Sequence, residues 1–140
     1  MANVIYPKAR QHFCQGDLKW LATGGDTFKA MLVDLADYTY ADTHEFLSDV
    51  PAAARVATSA ALTLIDPADG VLDADDITIT SVTGDPIEAL IIYKDTGTAS
   101  TSPLVIFIDH DASNNALTFT PNGGSCQITW PSGATKIAKL

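Results

Sequence analysis

Residues 87–94, IEALIIYK, form the most apolar strand candidate of the chain, and this stretch decides the fold class. The next apolar run, residues 104–109, reads LVIFID, and the turn-forming residues 95–103, DTGTASTSP, separate the two runs. Two short runs rich in β-branched residues on either side of such a segment are typical of a β-hairpin. We therefore predict a hairpin in the core of a sheet.

Further strands are predicted on both sides of this hairpin, where apolar residues alternate with polar ones or β-branched residues accumulate. These segments are residues 27–34, 54–62, 77–82, 116–120, 126–130 and 135–140, and the alanines of 54–62 leave a helix open as the alternative there. The turn sequences DPADG, at residues 66–70, PNGG and PSG lie between them. About eight strands joined by turns at short intervals indicate a sandwich or jelly roll.

One short helix is predicted over residues 7–14, because Pro7 suits the first helical position and the first breaker after it is Gly16. Residues 37–51, DYTYADTHEFLSDVP, are predicted to form a long ordered loop. The predicted fold is mostly β, a jelly-roll-like antiparallel β-sandwich with one short N-terminal helix. It comprises a single domain, residues 1–140, with N- and C-terminal arms.

The charge of the chain limits its partners. Asp and Glu number 17 against 8 Lys and Arg, which gives a net charge of -9. Such a charge repels phosphate backbones and anionic lipid headgroups, so nucleic acid and membrane surfaces are not expected partners. The sequence also contains no stretch of about 20 apolar residues and no secretory signal pattern at its start.

No cofactor and no metal are predicted, and the chain is not expected to be an enzyme. The two cysteines, Cys14 and Cys126, do not form a zinc-binding pattern, and we predict that they are free, packed thiols. The sequence leaves a Cys14–Cys126 disulfide open. The acidic run DPADGVLDADD, residues 66–76, is predicted to be a solvated loop, with a calcium site as the alternative.

The triplet Asp95-Thr96-Gly97 after an apolar run has the form of the catalytic motif of an aspartic protease. A single copy would need a homodimer to bring two carboxylates together, and a neighbouring lysine would oppose their shared proton. A three-residue match is weak, and Asp and Gly commonly form turns at strand ends. A turn is therefore the preferred interpretation, with a homodimeric protease as an alternative.

Large aromatic residues outside the clear strands either fill the ends of a sandwich or act as anchors at an interface. The terminal arms, residues 2–10 and 135–140, also carry half of the positive charges. They are contact candidates, although they could instead add strands or a helix to their own domain. The candidate interface residues are Val4, Ile5, Tyr6, Lys8, Arg10, Trp20, Tyr38, Tyr40, Lys136 and Lys139.

Several segments, in order along nearly the whole chain, resemble a family of small tailed-bacteriophage proteins. They are ANVIYPKAR, KAMLVDLADYTYADTHEFLSDVPAAARVATSAAL, ALIIYKDTG with the Ser/Thr-rich stretch after it, LTFTPNGG, ITW and GATKIAKL. The family is that of the capsid cement, or head decoration, proteins.

The resemblance implies a jelly-roll protein, made in the host bacterial cytoplasm, that sits on the outer surface of the virion capsid. It would associate as a homodimer, bridge subunits of the major capsid protein and stabilise the expanded head. The resemblance brings no catalytic residues. The second alternative, besides the protease, is a jelly-roll carbohydrate-binding module, in which Trp20 or Trp130 would stack on sugar rings.

Overall fold

The computed structural model describes residues 3–140, and the chain is mostly β, with antiparallel sheets and one α-helix. The strands in this range are β1 Val4–Ile5, β2 Phe28–Val33, β3 Arg55–Thr58, β4 Leu64–Ala68, β5 Val71–Ala74, β6 Ile77–Ile79, β7 Ala89–Lys94, β8 Leu104–Ile108, β9 Cys126–Ile128 and β10 Ala138–Lys139. The helix α1 is Pro7–Gln15, and single 3₁₀ turns occur at Leu47–Asp49, Ala52–Ala54 and Ala99–Thr101. The predicted mostly β class with one N-terminal helix is confirmed, whereas the jelly-roll arrangement stays a prediction.

A five-stranded antiparallel sheet in the order β1-β8-β7-β2-β3 contains much of the core. The predicted hairpin is confirmed as β7 and β8, which pair beside β2. Met31, Ile91 and Phe107 lie in one row across the three strands, and all three are buried. Because β7 has neighbours on both edges and cover on both faces, its residues are apolar almost without interruption.

Two smaller antiparallel sheets complete the described structure, one in the order β10-β5-β4 and the other formed by β6 and β9.

Two predicted elements, the turn at residues 66–70 and the strand at residues 116–120, differ from the structure. Residues 66–70 were predicted to be a turn, but β4 continues to Ala68, and the bend falls at Asp69 and Gly70, which have positive φ angles of 54° and 77°. The predicted strand at residues 116–120 forms only single bridges, Phe119 with Ile87 and Ala116 with His110.

Strand β5 lies inside the run that was predicted to be a solvated acidic loop. Leu72 and Ala74 point into the core, and the residues between and before them are half-buried. Buried and half-buried residues therefore alternate along β5, as in an ordinary strand. The sequence prediction missed this alternation because Asp73, an outward-facing residue of the strand, was counted with the aspartates around it as part of an acidic loop.

Helix α1 begins with Pro7 and ends at Gly16, which has a φ angle of 82°. The missing N–H of proline costs nothing in a first turn, and glycine adopts the left-handed conformation that closes a helix. Ala9 is the buried residue of the helix. No helix within residues 3–140 is long and apolar enough to cross a membrane.

Both terminal arms add structure to their own domain, which was the alternative to an interface role. Strand β1 pairs with β8, and β10 pairs with β5. The backbone N–H of Tyr6 donates to the carbonyl oxygen of Val105 at 3.0 Å, which continues the chain from β1 into α1. Ala2, the first residue of the predicted N-terminal arm, lies outside the described residues.

Candidate interaction groove

The aromatic candidates from the first half of the chain are mostly part of the core. Tyr6, Trp20 and Tyr38 are 0%, 3% and 3% exposed, and Ile5 is also buried. Their burial favours the alternative that these four side chains fill the core, and an interface role for them stays an untested prediction. Among the aromatic candidates Tyr40 is partly exposed, and Val4 of β1 is partly exposed too.

Three tyrosines, Tyr6, Tyr38 and Tyr40, form a connected cluster that packs against Phe107 of the central sheet. The Tyr6 and Tyr38 hydroxyls lie 2.9 Å apart, and the Tyr38 hydroxyl lies 2.9 Å from Nδ1 of His44. Tyr40 packs against Tyr6 and Phe107 and donates a hydrogen bond to Asp42. Burial raises the pKa of the phenols of Tyr6, Tyr38 and Tyr40 above the ordinary value.

Trp20 anchors the irregular segment of residues 17–26 to the rest of the protein. Its ring lies 4.8 Å from that of Phe28, and its indole N–H donates to the carbonyl oxygen of Asp73 at 2.9 Å. Lys94 also contacts this segment, because its Nζ lies 2.8 Å from the carbonyl oxygen of Asp17 and 3.1 Å from a carboxylate oxygen of Asp26. Trp20 is therefore a packing residue.

Of the four charged candidates in the arms, two lie near carboxylates and two are exposed without an ion pair within residues 3–140. Lys8 lies 4.0 Å from the carboxylate of Glu45, and Lys136 lies 3.6 Å from that of Asp73. Arg10 and Lys139 are exposed, and within residues 3–140 neither forms an ion pair. Arg10 and Lys139 therefore keep the exposure that a role in partner contacts requires.

The Asp95-Thr96-Gly97 triplet forms the bend that follows β7. Asp95 Oδ1 accepts a hydrogen bond from the backbone N–H of Gly97 at 2.9 Å, and Gly97 has a φ angle of 84°. Asp95 Oδ2 lies 2.7 Å from Nζ of Lys29, and this contact lowers the pKa of the Asp95 carboxyl. An aspartic protease needs a carboxyl that can retain a shared proton, so this geometry favours the turn interpretation.

We expect Asp95→Asn to lower the free energy of unfolding by about 0.5–1 kcal/mol at neutral pH, because the ion pair is lost while Oδ1 can still accept from Gly97. The pKa of Asp95 is lowered in the folded state, so its contribution is present above an unfolded value of about 4 and disappears as the pH falls through the folded value. Denaturant titrations of both proteins from pH 3 to pH 7 check this, and a cost that does not change with pH would contradict it.

Aspartates of the run at residues 66–76 make contacts within the protein. Asp66 accepts from the backbone N–H of Ala22 at 2.7 Å, and Asp76 accepts from that of Trp130 at 2.8 Å. Within residues 3–140, one group of three acidic residues brings carboxylate oxygens within 4.8 Å of one another, and it consists of Asp34, Asp37 and Asp85. The calcium alternative for residues 66–76 therefore gains no support from this arrangement.

Both cysteines are free thiols, as predicted, and Cys126 is buried; the prediction of a packed thiol is wrong for Cys14, which is exposed near the end of α1. Burial raises the pKa of the Cys126 thiol. Cys126 lies in β9 next to the groove described below, where it acts as a small apolar residue.

A groove of about 1000 Å³ lies between the central sheet and the C-terminal part of the chain. Leu32, Leu90 and Ile108 form its floor, and they are paired neighbours on β2, β7 and β8. The opposite wall comes from the C-terminal segments, including Ile128 and Trp130. The groove is therefore concave, with apolar strand residues at its floor and a mixture of apolar and polar residues in the rest of its lining, which makes it a candidate binding site.

The groove leaves apolar side chains in contact with solvent. Five of its large aliphatic or aromatic lining residues are only partly buried, and they are Ile108, Leu117, Phe119, Ile128 and Ile137. Partly exposed apolar side chains grouped in one groove are a common feature of interaction sites. Sequence reasoning missed the site, although the available signal was that β7 and β8 are apolar on both faces and need cover on both.

Polar groups line one part of the groove. Asn3 holds the chain there, since its side-chain oxygen accepts from the backbone N–H groups of Asp109 and His110 at 2.9 and 3.0 Å. His110 Nδ1 lies 2.7 Å from Asp109 Oδ1. Asp111 accepts from the backbone N–H groups of Asn115 and Ser113, which lower the pKa of its carboxyl.

Comparison with known proteins does not assign a family to the chain. No protein-family model matches it, and no curated protein matches it.

Proposed function

We propose that the protein is a structural virion protein, a cement protein that binds the major capsid protein on the outer surface of a bacteriophage head. The groove is the observation that carries this proposal, because it offers partly exposed apolar surface on a body that packs its own arms and tyrosines. The resemblance in order along nearly the whole chain supports the same function. We also propose that the protein acts as a homodimer.

A folded β domain suits this task. A protein that binds the assembled shell and not its free subunits lowers the free energy of the assembled state by mass action. Many copies on a symmetric lattice multiply a modest contribution from each one. The net charge of -9 keeps free copies apart and would favour a basic outer surface over the DNA inside the head.

The geometry favours the two alternative functions less. Asp95 is paired with Lys29, so it is a poor member of a proton-sharing dyad. Trp20 and Trp130 are 3% and 8% exposed, and their indole N–H groups donate to backbone carbonyl oxygens. Neither tryptophan therefore presents the open ring face that stacks on a sugar.

The deciding experiment is an electron-microscopy reconstruction of the particle, combined with heat and osmotic-shock assays of heads with and without the protein. We expect density for the domain across neighbouring capsomers on the outer face. Heads without the protein should release their DNA at a lower temperature. Density confined to the tail, or equal survival of the two kinds of head, would reject the proposal.

A further inference from the structure

The groove is built from two parts of the chain that pack incompletely against each other. Its floor belongs to three adjacent strands, which lie about 4.8 Å apart in a sheet, so the row from Leu32 to Ile108 is about 10 Å wide. Facing it, Leu117, Phe119 and Ile128 are partly exposed. An occupant of matching chemistry would be apolar along its length, because apolar surface gains most when it leaves water.

Charge along the edge of the groove adds a second requirement. Lys136 lines the groove, but its Nζ lies 3.6 Å from the carboxylate of Asp73. Asp111 lines it as well, and Asp76, which accepts from the backbone N–H of Trp130, is exposed beside it, as is Asp75. Lys136 is thus compensated by Asp73, whereas within residues 3–140 Asp111 forms no ion pair with a lysine or arginine and Asp76 adds a negative charge next to Trp130, which disfavours an anionic occupant.

We infer that the groove binds a short apolar polypeptide segment of another chain that carries lysine or arginine next to its apolar residues. The apolar part would contact the partly exposed side chains of Ile108, Leu117, Phe119 and Ile128, and the basic side chains would lie near Asp111 and Asp76. This inference rests on the proposed function in one respect, namely that the segment belongs to the capsid lattice. The match of an apolar floor with an acidic edge selects this occupant over a fatty acid, whose carboxylate would be repelled.

The binding test uses two synthetic ten-residue peptides with the same apolar residues, one with lysine at each end and one with glutamate. Calorimetry and tryptophan fluorescence follow binding to the full-length protein, since Trp130 lines the groove and Trp20 lies elsewhere, against Phe28. We expect saturable binding of the lysine peptide and at least about tenfold weaker binding of the glutamate peptide.

Matched variants place the binding site. Ile128→Lys and Leu117→Lys put a charge into the groove at partly exposed positions, and Ile65→Lys makes the same kind of change at a residue of β4 that is 44% exposed. The groove variants should weaken the lysine peptide about tenfold or more, while Ile65→Lys should change its affinity less than about twofold. Circular dichroism verifies that each variant is folded. Two groove variants are used so that the test can still be made if one of them does not fold.

Several results would overturn the inference. They are equal binding of the two peptides, an equal loss of affinity in Ile65→Lys, and tighter binding of laurate or maltoheptaose than of the lysine peptide. Purified heads that lack the protein then separate the two proposals. If wild type and groove variants decorate heads equally, the groove inference fails and the cement function stands. If wild type does not decorate them, the cement function fails while the peptide result is judged by itself.

Discussion

Replacement of Ile91 by alanine is expected to lower the free energy of unfolding by about 3 kcal/mol. Ile91 is 0% exposed in the middle strand of the central sheet, where it lies between Met31 on β2 and Phe107 on β8. Removal of its side chain loses apolar burial and leaves a cavity that three paired strands cannot easily close. Denaturant titration measures the effect as a lower midpoint at an unchanged slope.

The matched control is Ile65→Ala. Ile65 lies on β4 and is 44% exposed, so the same chemical change should cost less than about 0.5 kcal/mol there. Equal losses in the two variants would contradict the placement of β7 at the centre of the core. The comparison removes the effect of helix and strand propensity, since both positions lie in strands and both substitutions are identical.

The second large effect is expected for Tyr38→Phe, which should lower the free energy of unfolding by about 2 kcal/mol. The Tyr38 hydroxyl joins the hydroxyl of Tyr6 to Nδ1 of His44, at 2.9 Å on each side. Without it, the fully buried Tyr6 hydroxyl loses this partner and cannot reach water instead. Tyr40→Phe is the control, because its hydroxyl bonds to Asp42 at an exposed position and its loss should cost less than about 1 kcal/mol.

This tyrosine pair also predicts an alkaline limit to stability. Burial raises the pKa of Tyr6 and Tyr38 above the ordinary value of 10.0. Their contribution is therefore complete below about pH 10 and is lost as the pH rises further, because the unfolded chain releases these protons first. The fall in stability above pH 10 should be shallower in Tyr38→Phe. An unchanged alkaline slope, or equal costs for Tyr38→Phe and Tyr40→Phe at neutral pH, would refute this view.

Much of the architecture could be predicted from local pattern. The runs at 87–94 and 104–109 became β7 and β8 because consecutive apolar strands joined by a turn pair with each other. The sequence from Pro7 to Gly16 specified α1 through its two ends. Strand β5 was missed because Asp73 and its acidic neighbours outweighed the alternation of Leu72 and Ala74 in the composition of that segment.

The candidate residues show where sequence reasoning stops. For Tyr6 and Tyr38 the sequence left open whether they fill the core or anchor an interface, and in the structure each is buried and contacts the other, 32 residues away. Trp20 is likewise held by the carbonyl oxygen of Asp73, at a separation of 53 residues. The residue type and its neighbours in the sequence do not show whether an aromatic side chain fills the core or forms an interface. Its burial depends on which distant segment of the chain packs against it.

By itself, the sequence determined the mostly β class, the central hairpin, the N-terminal helix and the acidic charge, because each of these depends on side chains close together in the chain. Tertiary structure alone decided that the arms pack on their own domain and that Asp95 pairs with Lys29. It also decided the groove, whose floor and wall come from β2, β7, β8 and the C-terminal segments. A concave surface exists only once distant strands are side by side, so no local pattern can encode it.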